Sequence, residues 1–167
     1  SDAYFQLSED IILPNGWKPI GATKDGRVNL QEGANLNAFS GIFDGAGHTI
    51  TVPEGGLPLF GYVRNTRIRN LNIYGKKIAG YGLVNNFEGV GLSGSAVEID
   101  NVTLKSGSST LKSGLLGANK TVNGYAGCSA AFVATITNCT IEKGVVVGYD
   151  KKQSQIGAIA GRMQGTI

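Results

Sequence analysis

The chain has 167 residues, a formal net charge of +3, 26 glycines, 4 prolines and only 16% charged residues. That length suits one domain. The charge is too mild for a nucleic-acid-binding footprint, and the charge excess of a disordered chain is missing. No apolar run approaches the roughly 20 residues that cross a bilayer, so membrane insertion is not expected.

The chain opens on SDAYFQL, which is strand-like and has no secretory signal. Residues 4–21 read as strand, turn, strand, with Pro14-Asn15-Gly16 as the turn. Trp17 is expected to pack over an open end or core edge; the alternative is a sugar-stacking aromatic. Residues 22–38 are polar and loop-like, and Asp25-Gly26 is a turn signal. Ile42-Phe43 then reads as a short strand, Asp44 to Gly47 as a tight turn and Thr49 to Val52 as the next strand. Glycine suits that turn because its missing Cβ admits positive φ. His48 is the only histidine, and with Asp44 alone close in sequence it is expected to bond within the turn.

LPLFGYV (Leu57–Val63) leads into TRIRNLNIYG (Thr66–Gly75), and this last stretch returns as VEIDNVTLKSG (Val97–Gly107) and ATITNCTIEKG (Ala134–Gly144). The shared pattern is Ile-x-Asn-apolar-x-apolar, followed by Gly. Its inward positions are Ile68, Leu71 and Ile73, then Ile99, Val102 and Leu104, then Ile136, Cys139 and Ile141. The Ile positions lie 31 and 37 residues apart, and self-similarity at such a period marks a solenoid or array. Each copy is β-branched, alternating and too short for a helix. A strand repeat hides its apolar face by stacking on its neighbours. A parallel β-helix does this and piles Ile68 on Ile99 on Ile136.

Leu71 and Ile73 differ by two, as one face of a strand requires, but Ile68 and Leu71 differ by three. A bend or bulge at Asn70, Asn101 and Asn138 restores a single inward face. Asn tolerates left-handed backbone angles, and stacked Asn amides bond in ladders. The same register sets Arg67 over Glu98 and Arg69 over Asp100. Such exposed pairs contribute little, but they neutralise part of the cluster Arg64, Arg67, Arg69, Lys76 and Lys77 and weaken any polyanion-binding reading.

Four Gly-apolar runs accompany the copies. LPLFGYV and IGAIAGRM (Ile156–Met163) correspond closely, while GYGLVNNFEGVG (Gly80–Gly91) and SGLLGANK (Ser113–Lys120) are looser. Short strands at Lys77–Gly80 and Val145–Gly148 complete the set, so each turn holds three strands in a roughly triangular coil. Gly91–Ala96 and Lys120–Ala130 would loop out. The predicted fold is therefore all-β, a single parallel β-helix over 1–167, with a leader and first rungs over 1–52 and repeat rungs over 53–167. The final Gly165-Thr166-Ile167 reads as the opening of another copy, so the chain is expected to be cut from a longer protein.

Cys139 fills an inward slot and reads as a small buried thiol; a Cys128–Cys139 disulfide stays open, since spacing does not set geometry. Two cysteines and one histidine are too few nearby ligands for a metal site. Sequons occur at Asn101, Asn119 and Asn138, two of them in the proposed Asn column and expected to be poorly accessible.

Thr135-Ile136-Thr137-Asn138-Cys139, Gly157-Ala158-Ile159-Ala160-Gly161, the leader from Leu7 to Gly21, and Gly41-Ile42-Phe43-Asp44-Gly45-Ala46-Gly47-His48-Thr49-Ile50 together resemble bacterial surface proteins that carry the GLUG motif. These belong to the pectate-lyase-like β-helix architecture. The likeness covers nearly the whole chain; Ile12 departs from it, where that leader often has an acid. The resemblance implies a right-handed coil and a passive module of a large surface or secreted protein, often an adhesin. It does not name a ligand, and fold alone does not grant function.

The rival reading is a segment of a polysaccharide lyase or hydrolase. A glycosidase needs two carboxylates about 5–9.5 Å apart, and a calcium-assisted lyase needs clustered acids with a base. The six Asp and six Glu are mostly isolated. No catalytic residue, cofactor or metal is therefore assigned. Candidate contact residues lie on loops and outward strand positions: the aromatics Tyr74, Tyr81, Tyr125 and Tyr149 and the charges Lys76 and Lys77. Each of them also reads as ordinary solvated surface. The expected partners are an extracellular glycan or host surface protein and further domains of the same chain, at the cell surface or outside the cell. A structural spacer or stalk fits equally.

Overall fold

In a computed structural model of the chain, the structure describes residues 3–22, 38–87, 96–119, 133–150, 152 and 156–162. The described residues form thirteen strands and no helix. These are β1 (Tyr4–Gln6), β2 (Ile11–Ile12), β3 (Phe39–Asp44), β4 (Thr49–Val52), β5 (Phe60–Gly75), β6 (Val84–Phe87), β7 (Ala96–Leu104), β8 (Ser109–Thr110), β9 (Leu116–Asn119), β10 (Val133–Thr137), β11 (Thr140–Ile141), β12 (Val146–Val147) and β13 (Ala160–Arg162). Eleven of them make one curled sheet, and β8 with β12 makes a second. Every strand pairing in both sheets is parallel.

The curl originates in β5. This strand carries two residues in the left-handed region, Asn65 (φ 45°) and Asn70 (φ 51°), and so changes direction twice. Its first part, Phe60–Val63, pairs with β6, and the line continues through β9 to β13, aligning Phe60, Val84, Leu116 and Ala160. Its second part pairs with β3 and β7, and its third with β4 and β7. At Asn65 the pairing shifts: Phe39 faces Val63 but Gly41 faces Thr66, so two residues of β5 oppose one of β3. This is a bulge that bends the strand.

The three copies of the Asn pattern lie side by side. Ile68 faces Ile99, which faces Ile136; Leu71 faces Val102; Ile73 faces Leu104, which faces Ile141. The bend expected at each Asn is present, with φ of 51° at Asn70, 52° at Asn101 and 53° at Asn138. It turns Leu71 and Ile73 to the same side as Ile68. Ile68, Ile73, Ile99, Val102 and Leu104 are fully buried. The core continues through Leu59, Phe60, Val63, Ile78, Leu83, Val84, Leu115 and Leu116. At the β1 end it is closed by rings: Phe39 lies 5.8 Å from Phe5 and 5.1 Å from Phe60, and Phe43 lies edge-on to Phe60 at 5.4 Å.

The Gly-apolar runs have a steric cause. A Cβ on Gly82 would overlap the carbonyl oxygen of Gly114, and one on Gly114 would overlap that of Ala158. Backbones in this line approach too closely for any side chain. Trp17 packs against the core as expected, with its indole nitrogen buried and without a hydrogen-bond partner among the described residues.

Candidate functional site

The outward face of β1, β3, β5, β7 and β10 carries a continuous set of polar side chains, and Asp44 is its centre. Pairing places Gln6, Asp44, Arg69, Asp100 and Thr137 in one row across the strands. Asp44 ends β3 where the chain enters the Gly45-Ala46-Gly47 turn, and its side chain folds back over the sheet. Oδ1 accepts from the Ala46 amide at 2.9 Å and from Asn70 Nδ2 at 3.1 Å. Oδ2 accepts from Arg69 Nε at 2.8 Å and from the Tyr4 hydroxyl at 3.2 Å. The residue is only 4% exposed. Burial by itself would raise its pKa, but the Ala46 amide, Asn70, Arg69 and Tyr4 outweigh that and hold the carboxyl below the usual aspartate range.

From there the bonding runs outward along the copies. Asn101 Nδ2 donates to Asn70 Oδ1 at 2.9 Å, which is the amide-to-amide contact expected of an Asn ladder. Asn138 departs from it: its Nδ2 donates to Asp100 Oδ1 at 2.8 Å rather than to Asn101. Thr137 donates to the same oxygen at 2.8 Å, and these two donors lower the pKa of Asp100. A carboxylate accepts more strongly than a neutral amide, so Asp100 captures the third Asn.

Arg67 and Glu98 face each other and form the expected ion pair. Arg69 also faces Asp100 in register, but its Nε bonds to Asp44, the more enclosed carboxylate. The expected Arg69–Asp100 partnership is thus replaced by Arg69–Asp44. Sequence reasoning missed Asp44 as a centre because its partners lie 25, 26 and 40 residues away. The detectable signal was the Asp-Gly turn directly before a strand.

His48 shows a similar displacement. Its amide closes the turn onto the Gly45 carbonyl at 2.8 Å, but its ring meets Asp10 Oδ1 at 3.2 Å rather than Asp44. The same oxygen accepts from the Thr49 amide at 2.9 Å, and that bond leads the lowering of the Asp10 pKa. The pairing of Ile11 with Ile50 is what brings Asp10 there.

The candidate contact residues separate. Tyr74 is half-buried, Lys76 and Lys77 are exposed, and Tyr149 is exposed. Lys77 Nζ pairs with Glu54 Oε1 at 2.9 Å, and that bond raises its pKa. Tyr81 does not belong to an outward set. It is 4% exposed, with the Lys112 ammonium 5.5 Å from its ring centre, and its loss of water raises its pKa. It lies in a run, Gly80 to Val84, that is buried throughout, which outward loop placement did not anticipate. Tyr125 and Cys128 lie outside the described residues. Cys139 is a half-buried free thiol whose pKa is raised, chiefly by burial. Asn101 and Asn138 are exposed, contrary to the expectation for a closed column. Their Nδ2 atoms, which a glycan would occupy, are nevertheless committed as hydrogen-bond donors.

Among the described residues no group of three His, Cys, Asp or Glu side chains is placed to hold a metal ion. Comparison with known proteins returns no matching family model, no matching curated protein and no matching solved structure.

Proposed function

We propose that the chain is a right-handed parallel β-helix, with three short strands per rung, that serves as a non-enzymatic binding or adhesion module of a bacterial surface or secreted protein. The observation that carries this reading is the common register of the three Asn copies. Ile68, Ile99 and Ile136 align through parallel pairing, and each copy turns at a left-handed Asn. Such a chain presents an elongated surface built from repeated outward positions, which suits contact with an extended glycan or a host surface protein. Affinity per module would be weak, and tandem copies would supply avidity.

Among the described residues the contact set on the surface is Tyr74, Lys76, Lys77 and Tyr149. A glycan array probed with the chain tests the reading. Consistent hits that fall on replacing Tyr149 and Lys76 by alanine support adhesion. Polysaccharide cleavage lost in Asp44→Asn would refute it in favour of a lyase or hydrolase. The bonding of Asp44 argues against that role, since a carboxylate already accepting four hydrogen bonds is a poor general base.

One observation favours a spacer or stalk as the second reading. Arg67 with Glu98, Arg69 with Asp44, Lys77 with Glu54 and Lys105 with Glu142 pair with one another across the surface. Charges committed internally suit a rigid rod better than a ligand site, and silence across the array supports that role.

A further inference from the structure

Among the described residues, turns at Glu54-Gly55, Lys76-Lys77, Ser106-Gly107 and Lys143-Gly144 follow β4, β5, β7 and β11 and stack in one column. Hydrogen bonds join each to the next. The Gly55 amide donates to the Lys77 carbonyl at 3.2 Å, the Lys77 amide to Ser109 Oγ at 2.9 Å, and the Val146 amide to the Ser108 carbonyl at 3.0 Å. The second residue of every turn is left-handed, with φ of 73° at Gly55, 51° at Lys77, 81° at Gly107 and 93° at Gly144. Glu54, Lys76, Ser106 and Lys143 thus hold equivalent first positions, and all are exposed.

Lys77 stands where the other turns have glycine. A side chain strains the backbone there, and such strain collects at binding sites. Its ammonium reaches Glu54 at 2.9 Å, an exposed pair that returns little stability. The charges of the column are also unevenly matched. Lys77 answers Glu54, and Lys105 answers Glu142. Lys76 and Lys143 have no carboxylate at ion-pair distance among the described residues. From Lys76 through Ser106 to Lys143 the tips read positive, hydroxyl, positive. The arginine face differs, since Glu98 and Asp44 neutralise Arg67 and Arg69 there.

We infer that this column is the contact ridge for a linear polysaccharide with an acidic group on alternate sugars, which gives a chemical class to the glycan-binding reading above and rests on it. β5 pairs with β7 and β7 with β11, so the Lys76 and Lys143 turns lie about 9–10 Å apart along the stack. In an extended polysaccharide that length separates alternate sugars. Each ammonium then meets an acidic group, and the Ser106 hydroxyl faces the neutral sugar between. An acid on that middle sugar would meet Glu142, whose carboxylate the Lys105 ammonium and the Ser106 amide already hold at 2.6 and 2.7 Å. Tyr74 lies beside the column against Gly107, where a Cβ would come within 3.6 Å of its ring. Its ring offers an apolar face with a polar tip. The ionic contacts are charge-assisted and exposed, so salt weakens them.

Isothermal titration of the purified chain tests this. The probes are hyaluronan oligosaccharides, acidic on alternate sugars; polygalacturonate, acidic on every sugar; neutral dextran; and single-stranded DNA. Hyaluronan should bind most tightly and weaken as salt rises. Lys76→Gln and Lys143→Gln should each lower its affinity about 2–5-fold, and Arg67→Gln should leave it unchanged. Lys77→Gly should melt no lower than the wild type, because glycine takes the turn freely, and yet bind hyaluronan more weakly. Dextran binding without hyaluronan binding overturns the inference and leaves adhesion standing. So does polygalacturonate or DNA binding as tight as that of hyaluronan, hyaluronan binding indifferent to Lys76 and Lys143, or a Lys77→Gly variant that binds as before. Silence with hyaluronan and across the glycan array overturns the adhesion reading and the inference with it.

Discussion

The first two copies of the Asn pattern and the third have the same residue types and different surroundings. Ile68, Leu71 and Ile73 are 0–1% exposed, and Ile99, Val102 and Leu104 are fully buried; Ile136, Cys139 and Ile141 are only half-buried. The difference is the number of neighbours. Among the described residues, β5 lies between β3–β4 and β7, and β7 lies between β5 and β10–β11, whereas β10 and β11 have β7 on one side only. The carboxylates of the outward row divide in the same way. Asp44 is buried under four donors, while Asp100 is half-exposed and holds two through one oxygen. In a stacked sheet, a residue's worth depends on what lies above and below it.

Core truncation should break the comparison most sharply. Leu71→Ala is expected to cost about 2–5 kcal/mol, because its cavity is walled on all sides. Ile141→Ala should cost about 1 kcal/mol, since much of that side chain already meets water. Urea unfolding of both variants measures the contrast; equal losses would mean that the third copy is as enclosed as the first.

The next largest effect belongs to Asp44. Asp44→Ala removes the acceptor shared by Ala46, Asn70, Arg69 and Tyr4, and should cost about 1–3 kcal/mol. Acid gives the same contrast by another route. Asp44 has a depressed folded-state pKa, so the unfolded chain binds its proton more readily. Its contribution is complete above the unfolded-state pKa and is lost as pH falls through the folded value. Stability measured from neutral pH downward should fall in the acid range, and Asp44→Asn should flatten that fall more than Asp100→Asn does.

The smallest effect separates backbone from side chain at Asn101. Asn101→Ala forces a Cβ-bearing residue without a polar side chain into the left-handed region, at a cost of about 1–2 kcal/mol. Asn101→Gly loses the same amide contact to Asn70 but accepts that backbone freely. If glycine restores most of the stability, the bend outweighs the ladder; if it does not, the amide contact does.

The three Asn strands and their stacking were legible in the residues, whereas the short strand expected at Lys77–Gly80 is only a bridge at Ile78. The spacing of Ile68, Leu71 and Ile73, repeated twice, required a bend at each Asn, a residue type that tolerates left-handed backbone angles. The same pattern foretold that Arg67 would meet Glu98, because alignment of the inward rows also aligns the outward ones. What only the tertiary structure decided was choice among partners. Arg69 chose Asp44 over Asp100, Asn138 chose Asp100 over Asn101, His48 chose Asp10, and Tyr81 turned inward. Local pattern acts over two to four residues and sets which way the backbone turns. Selection between two acceptors depends on their distance, burial and charge, which exist only once the distant strands have come together.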